Sequence, residues 1–171
     1  ANTAWKIVGV GDFAGTGKQN GLLWFNSTNA TVYLMTVTYS GGVFSQTGAT
    51  VYQEPDLAWK VIGAADFDGD GKSDIIWRNG TTGAIYFMLM NGAAIGPQGV
   101  VYTEGNPAWK VVALGDYDGD GRADLLWRNE STGQVFQVRM NGLAVAGSSL
   151  VMTEGNLDWK ILGFREYGLA S

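Results

Sequence analysis

An all-β fold built from a repeated unit is predicted by three features of the sequence: a tryptophan spacing, apolar runs of strand length, and turn-forming residues between them. The dipeptide Trp-Lys recurs with spacings of 54, 50 and 50 residues, at Trp5, Trp59, Trp109 and Trp159. A second tryptophan follows in each of the first three units, at Trp24, Trp77 and Trp127. Such a period is typical of arrays whose units bury their faces against one another.

Each unit contains four runs of strand length. In the second unit these runs are WKVIGAADF, DIIWRN, AIYFMLM and GVVYTEG. Asn-Gly at Asn91 and Asn141 is a strong hairpin signal between the third and fourth runs. No run has the length and 3.6-residue period of a helix. Four strands in a repeat of about 50 residues are typical of a β-propeller blade, so we predict β-propeller-type blades.

The third strand of the unit indicates how the units stack. From Ala84 to Met90 both faces are apolar, so this strand is expected to be covered on both sides, as in a blade between two neighbours. The corresponding strand of the third unit carries Gln137 and Arg139 on one face. We therefore expect that face to be wetter, near an end of the array.

The predicted organisation is a single repeat array over residues 1–171. Repeat 1 (4–57) is degenerate, repeats 2 (58–107) and 3 (108–157) are complete, and a partial repeat 4 (158–171) begins with one extra strand, Trp159–Phe164. Because the sequence begins with Ala, we expect either a processed mature chain or a piece of a longer protein.

Composition excludes several classes of function. The chain has no His and no Cys, so the commonest general base and all thiol chemistry are absent. Its net charge is −5, without a basic stripe, which argues against a nucleic-acid partner. Its apolar runs are all shorter than the ~18 residues of a membrane span. We predict that it is not an enzyme.

Two acidic loops, DFDGDGKSD from Asp66 and DYDGDGRAD from Asp116, follow the first strands of repeats 2 and 3. Carboxylates occupy loop positions 1, 3, 5 and 9, and position 7 usually offers a backbone carbonyl. Hard oxygen ligands in a flexible loop suit Ca²⁺, whereas Mg²⁺ tends to keep its waters. We predict two Ca²⁺ per chain, each tying its own hairpin. The candidate ligands are Asp66, Asp68, Asp70, Lys72, Asp74, Asp116, Asp118, Asp120, Arg122 and Asp124.

Alternatives to this metal assignment exist for the complete loops and for the degenerate one. A solvated acidic turn is the simpler interpretation of each complete loop. An EF-hand is excluded, because position 12 is Trp77 or Trp127 instead of Glu and strands flank the loop. Repeat 1 keeps Asp12 but has Ala14 and Thr16 in place of aspartates, so we expect it to bind Ca²⁺ poorly or not at all.

The segments DFDGDGKSDIIWRNGTTGAIYFM and DYDGDGRADLLWRNESTGQVF resemble the FG-GAP/VCBS family of repeats. That family includes the Ca²⁺-binding blades of integrin α chains and of many bacterial extracellular proteins. The resemblance covers nearly the whole chain. It implies secreted propeller blades in which Ca²⁺, held by the aspartates at positions 1, 3, 5 and 9, stabilises a hairpin and performs no chemistry. Since propellers usually close with about 4–8 blades, we expect a homo-oligomer or a part of a larger propeller.

A repeated binding surface is the candidate function outside the loops. Indole faces pack on sugar rings, and Arg and Asn supply hydrogen bonds to hydroxyls. The alternative is that these tryptophans are core residues between blades and that each Asn begins a turn. The candidate ligand-binding residues are Trp77, Arg78, Asn79, Trp127, Arg128 and Asn129.

Two functions remain open from the sequence. One is a non-catalytic, extracellular, Ca²⁺-stabilised module that recognises carbohydrate or a cell-surface protein. The other is a structural or accessory domain of a larger secreted enzyme, with no ligand of its own. Glu54, Glu104 and Glu154 recur with the repeat, and because one active site does not need three copies, we expect a structural or repeated binding role for them.

Overall fold

The computed structural model describes residues 4–161, and the secondary structure there consists of strands and turns. None of these residues belongs to a helix long and apolar enough to cross a membrane. The strands are β1 (Trp5–Gly11), β2 (Gly21–Asn26), β3 (Thr31–Ser40), β4 (Val43–Gln53), β5 (Trp59–Ala65), β6 (Asp74–Asn79), β7 (Ala84–Asn91), β8 (Ala94–Thr103), β9 (Trp109–Gly115), β10 (Asp124–Asn129), β11 (Gln134–Asn141) and β12 (Ala144–Thr153).

Three antiparallel sheets of four strands each hold these elements. Each sheet is a meander in which strands pair in chain order, β1 to β4, β5 to β8 and β9 to β12. We call these sheets blades 1, 2 and 3. Neighbouring blades approach through their first strands, β1 beside β5 and β5 beside β9. The predicted all-β fold of propeller-type, four-stranded blades is therefore confirmed.

Two apolar clusters fill the junctions between the blades. The first joins blade 1 to blade 2, with Leu23 and Trp77 among its buried members, and the second joins blade 2 to blade 3, with Leu125 among them. Strand β7 serves both, because Met88 lies in the first cluster and Phe87 in the second. Successive side chains of a strand point to opposite faces. Blade 2 is thus covered on both sides, as its apolar pattern predicts.

The ends of the array differ from its middle. In β11, Arg139 is exposed and Gln137 is half-buried, so the outer face of blade 3 is wetter than that of blade 2, as predicted. The extra strand predicted from Trp159 is not present in its described part, where residues 159–161 have no strand assignment. The rest of that predicted strand lies outside the described residues.

A glycine turn closes the β6–β7 hairpin and fixes the end of β8. The Gly83 N–H donates to the Asn79 carbonyl at 2.9 Å, and the Gly83 carbonyl accepts from the Glu104 N–H at 3.1 Å. Gly83 has a φ of +74°, and a Cβ on it would overlap the Glu104 carbonyl. Ala30 holds the same place in blade 1 with a φ of +52°, so alanine there is confined to the left-handed conformation.

Replacing Gly83 should therefore destabilise the fold. We expect Gly83→Ala to lower the free energy of unfolding by at least about 1 kcal/mol, the usual cost of a left-handed L-residue. The melting temperature should fall by a few degrees for a chain of this size. Gly99→Ala is the matched control, because Gly99 lies in β8 with no atom within 4 Å of its added Cβ. Equal melting temperatures for the two variants would contradict this account of the turn.

Candidate metal centre

The two acidic loops join the first and second strands of blades 2 and 3. In the β5–β6 loop, the Asp66 carboxylate accepts the N–H of Gly69 at 2.7 Å and that of Gly71 at 2.8 Å. Both glycines have a φ near 80°, at +80° and +83°. L-residues avoid that conformation. The Asp-x-Asp-Gly-Asp-Gly spacing therefore wraps the backbone around the first carboxylate of the loop.

Carboxylate oxygens converge in both loops. One oxygen from each of Asp66, Asp68 and Asp74 lies within 4.8 Å of the others, and the same holds for Asp116, Asp118 and Asp120. Three converging carboxylates form a donor set of hard oxygens, which Ca²⁺ prefers. The residues present therefore fit a calcium ion in each loop.

Basic side chains at loop position 7 offset part of this negative charge. Lys72 Nζ lies 2.6 Å from an Asp70 carboxylate oxygen, and Arg122 Nη1 lies 3.0 Å from one of Asp120. These pairs are partly exposed, so each is worth little stability. The Asp70 carboxylate therefore faces Lys72, whereas its counterpart Asp120 both pairs with Arg122 and belongs to the acidic cluster of its own loop.

Asp74 and Asp124, at loop position 9, are structural clamps as well as candidate ligands. Asp74 is 1% exposed and accepts the N–H of Phe67 and the N–H of Met90, each at 2.8 Å. It thereby ties the loop to the third strand of its blade. Burial raises the pKa of Asp74 to about 7, and the nearby Asp68 and Asp66 add to the effect. A bound cation would lower it again.

Asp124 makes the equivalent contacts and one more. It is fully buried and accepts the Met140 N–H at 3.0 Å and the Tyr117 N–H at 3.3 Å. The Gln137 side-chain amide also donates to it at 3.0 Å. Gln137, which the sequence marks only as a polar residue on a wetter face, is thus a partner of a candidate ligand.

The loop of blade 1 is organised without further acids. Asp12 accepts hydrogen bonds from the Ala14, Gly17 and Lys18 N–H groups and from the Thr16 hydroxyl. Hydrogen bonds from the backbone, first of all from that of Thr16, hold the pKa of Asp12 below its usual range. The acidic clusters among residues 4–161 do not include this loop. Thr16 supplies a hydroxyl where the other loops have a carboxylate.

Neighbouring loops are joined to each other, which the sequence does not predict. The Ala123 N–H donates to the Asp66 carbonyl at 2.6 Å, and the Gly142 N–H donates to the Phe67 carbonyl at 2.9 Å. Between blades 1 and 2, Ser73 exchanges two hydrogen bonds with the backbone of Asp12, at 2.9 and 3.0 Å. Each loop therefore ties its own hairpin and also the adjoining blade.

Comparison with protein families places a known repeat on these loops. Residues 66–127 match the model of the FG-GAP-like repeat. This segment is similar to the FG-GAP-like repeat. The match begins at the first aspartate of one acidic loop, contains the whole of the other and ends at Trp127, so the resemblance seen in the sequence is confirmed there. A comparison with curated proteins gives no match.

The two Trp-Arg-Asn segments at 77–79 and 127–129, which we call corners, lie in packing and turn positions. Trp77 and Trp127 are 2% and 3% exposed. The Asn79 side chain accepts the N–H groups of Thr81 and Thr82 at 2.9 and 3.0 Å. Asn129 makes the same two contacts in blade 3. This geometry favours the core and turn interpretation for the tryptophans and asparagines.

One of the two arginines in these corners reaches across a blade junction. Arg78 Nη1 donates to the Trp109 carbonyl at 2.7 Å, and its guanidinium lies 5.2 Å from the centre of the Trp127 ring. Arg78 thus joins blade 2 to blade 3. Arg128, in the same place in blade 3, is 2% exposed.

The recurring glutamates also have a structural contact. The carboxylates of Glu54, Glu104 and Glu154 each accept the N–H two residues later, at 2.9, 2.8 and 2.8 Å. Each therefore closes the turn that leads from the fourth strand of one repeat to the next tryptophan. This turn is a structural reason for their recurrence, which is one of the two roles expected for them, structural or repeated binding.

A measurement in chelator separates the hydrogen-bonding role of Asp74 from its candidate role as a metal ligand. Asp74→Ala leaves the buried N–H groups of Phe67 and Met90 unpaired, and each such group costs roughly 1–3 kcal/mol. We expect a loss of at least about 2 kcal/mol in unfolding free energy even in excess chelator. Asp70→Ala is the control, since its pair with Lys72 is exposed and its loss should cost about 0–1 kcal/mol. Denaturant unfolding measures both, and equal losses in chelator would disprove the clamp.

Proposed function

We propose that this chain is a non-catalytic, extracellular module of calcium-stabilised, propeller-type blades that recognises carbohydrate or a cell-surface protein. The observation that carries the metal part is the convergence of three carboxylates in each complete loop, with oxygens within 4.8 Å of one another. The FG-GAP-like repeat supports it, because such repeats are typical of extracellular proteins and often bind calcium.

The electrostatics of the first loop support a bound cation. The pKa of Asp68 is raised by burial and by the charges of Asp70 and Asp66. With Asp74 raised as well, the loop holds carboxylates whose ionised forms are disfavoured together. A divalent cation offsets this repulsion, and because the loop also contacts blade 3, its binding stabilises a junction as well as a hairpin.

The acidic residues have structural contacts that leave little for acid–base catalysis. Asp74 and Asp124 hold the third strands, and the three recurring glutamates close turns. Carboxylate pairs that hydrolyse glycosides need one acid and one base or nucleophile facing a single cleft. The repetition of each acidic position argues for structural use, which supports a binding or structural module.

Calcium should stabilise the folded chain. At a Ca²⁺ concentration 100 times the Kd, each site should add about 2.7 kcal/mol to the unfolding free energy. Chelation should lower the melting temperature, and restored Ca²⁺ should raise it again. Calorimetry should count two Ca²⁺ sites per chain, and the Asp12 loop should bind no Ca²⁺.

The control for this experiment is an equal concentration of Mg²⁺, which should stabilise less because it keeps its waters. Asp68→Ala should leave one site per chain. A third site, or melting that ignores the chelator, would refute the calcium assignment.

We also propose that a second copy of the chain packs against the outer face of blade 3. Arg128 corresponds to Arg78, but among the described residues its Nη2 has no hydrogen-bond partner, although it is buried. Met152 corresponds to Tyr102, which packs edge-on against Trp127 with ring centres 5.9 Å apart. Met152 itself is 49% exposed.

Blade 1 offers the complementary surface. Trp24 corresponds to Trp127 and is half-buried, as is Tyr33 beside it in the register of β2 and β3. Placing blade 3 of one copy against blade 1 of another would put Met152 over Trp24, which repeats the contact of Tyr102 with Trp127. Two copies would then form a ring of six blades, within the usual range of about 4–8.

Sedimentation at micromolar concentration tests this assembly. We expect a species of twice the 18.3 kDa chain mass. Met152→Asp should shift it towards monomer, because a charge would be buried against Trp24. Val100→Asp is the control, since Val100 stays 57% exposed although blade 3 follows it. A soluble, folded monomer in the wild type, or an unchanged dimer in Met152→Asp, would refute the proposal.

A further inference from the structure

A small cavity lies on the strand face of blade 3 where the end of blade 2 reaches it. Its volume is about 200 Å³. Blade 2 contributes two of its lining residues from the end of β8, and blade 3 contributes the rest from its sheet. The lining residues used below are Tyr102, Glu104, Trp109, Trp127, Phe136 and Val138.

A corresponding cavity occurs at the junction of blades 1 and 2, and four of its six lining residues are of the same type. Its volume is smaller, about 130 Å³. Each lining residue precedes its counterpart by 50 positions, and the set is Tyr52, Glu54, Trp59, Trp77, Tyr86 and Met88. Two substitutions separate the sets: Phe136 replaces Tyr86, and Val138 replaces Met88. A shorter side chain at position 138 accounts for the direction of the volume difference.

Aromatic rings set at steep angles form the walls of both cavities. In the wider one, Tyr102 and Trp127 meet at 67° and Trp109 and Phe136 at 84°. The corresponding pairs in the narrower cavity meet at 88° and 72°. These edge-to-face pairs bound each cavity with apolar ring atoms on two sides. A saturated sugar ring, whose axial C–H groups form apolar faces, matches them.

One carboxylate stands at each cavity. Glu104 Oε1 accepts the Asn106 N–H at 2.8 Å, and its other oxygen makes no hydrogen bond to the described residues. In the narrower cavity, burial raises the pKa of Tyr52, and the neighbouring Glu54 carboxylate adds to it. The Tyr52 phenol hydrogen-bonds to the Glu54 carboxylate, and a carboxylate has further acceptor sites that hydroxyl groups of a ligand can use.

The surrounding charge favours a neutral ligand over a cation. Aromatic walls with a carboxylate would also suit an organic ammonium group. Next to the wider cavity, however, Lys60, Arg78 and Lys110 line a depression that Glu104 shares. Three basic side chains line that depression together with this carboxylate, so a cation placed there would meet like charges. A neutral ligand with hydroxyl groups meets no such repulsion.

We propose that these two junction cavities are binding sites for single pyranose sugars, with the hydroxyl groups held by Glu104 or Glu54 and the ring faces against the aromatic walls. The wider cavity binds more tightly than the narrower one. This inference rests on the proposed role as a carbohydrate-binding module. It places the sites in these cavities, which include the tryptophan of each Trp-Arg-Asn corner but not its arginine or asparagine. Calcium holds the blades that form the cavities and takes no part in binding.

Indole N–H signals in NMR spectra test the placement. The probes are methyl glycosides of common hexoses and of N-acetylhexosamine, titrated in excess Ca²⁺. At least one should shift the Trp109 and Trp127 signals saturably, and the Trp59 and Trp77 signals at higher concentration. Glu104→Gln should weaken binding at the wider cavity about tenfold or more, since a hydrogen bond to a charged group is lost. The Trp59 and Trp77 signals should respond as before.

Matched variants come from the chain itself. Glu154→Gln changes the third glutamate of the series and should leave both sites unaffected. Val138→Met gives the wider cavity the side chain that the narrower one already tolerates, and it should weaken binding there. Met88→Val should strengthen binding at the narrower cavity.

Three outcomes would overturn the proposal. One is that no glycoside shifts these signals. Another is that the shifts survive both Glu104→Gln and Val138→Met, which would put the sugar elsewhere and leave the module's carbohydrate role standing. The third is that choline shifts the signals and the glycosides do not. Melting in chelator is measured in parallel, so a failed calcium role is distinguished from a failed cavity site.

Discussion

A sheet that is apolar on both faces cannot be stable alone, and the rest of this structure depends on that constraint. Phe87 and Met88 are neighbours in β7, yet they enter different clusters because they point to opposite sides of blade 2. Blade 2 therefore needs a sheet on either side at a fixed distance. The loops supply that spacing, since the Ala123 N–H donates to the Asp66 carbonyl across the junction. The stacking of the blades therefore depends on the geometry of the loops.

The acidic loops affect the whole stack of blades because they lie at the junctions between blades. Because adjoining loops are bonded through their backbones, a change in one is felt at the next blade. Asp74 and Asp124 are buried where loop, second strand and third strand meet, and each accepts backbone N–H groups there. Burying a carboxylate is costly unless it is hydrogen-bonded or paired with a cation. The hydrogen bonds meet part of that cost, and a calcium ion would meet more of it.

Most of the fold could be predicted from the sequence, because strand runs, turns and the tryptophan period are local or repeated signals. The acidic loops were likewise found from spacing alone. The second role of Asp74 could not be, since its partner Met90 lies sixteen residues away on another strand. Gln137 reaches Asp124 through pairing that no local pattern shows. The junction cavities draw on residues from two repeats, so only the stacking of blades reveals them.

The Trp-Arg-Asn corner and the junction cavity are linked by the turn that follows Asn79. Asn79 holds this turn with its side chain, and the Gly83 carbonyl at its end accepts the Glu104 N–H. Glu104 then lines the cavity between blade 2 and blade 3. In blade 1, the Glu54 N–H donates to the Ala30 carbonyl in the same way, at 3.2 Å. An asparagine can therefore recur at this place without binding a ligand itself. Its turn positions the segment that carries Glu104, whose side chain lines the cavity.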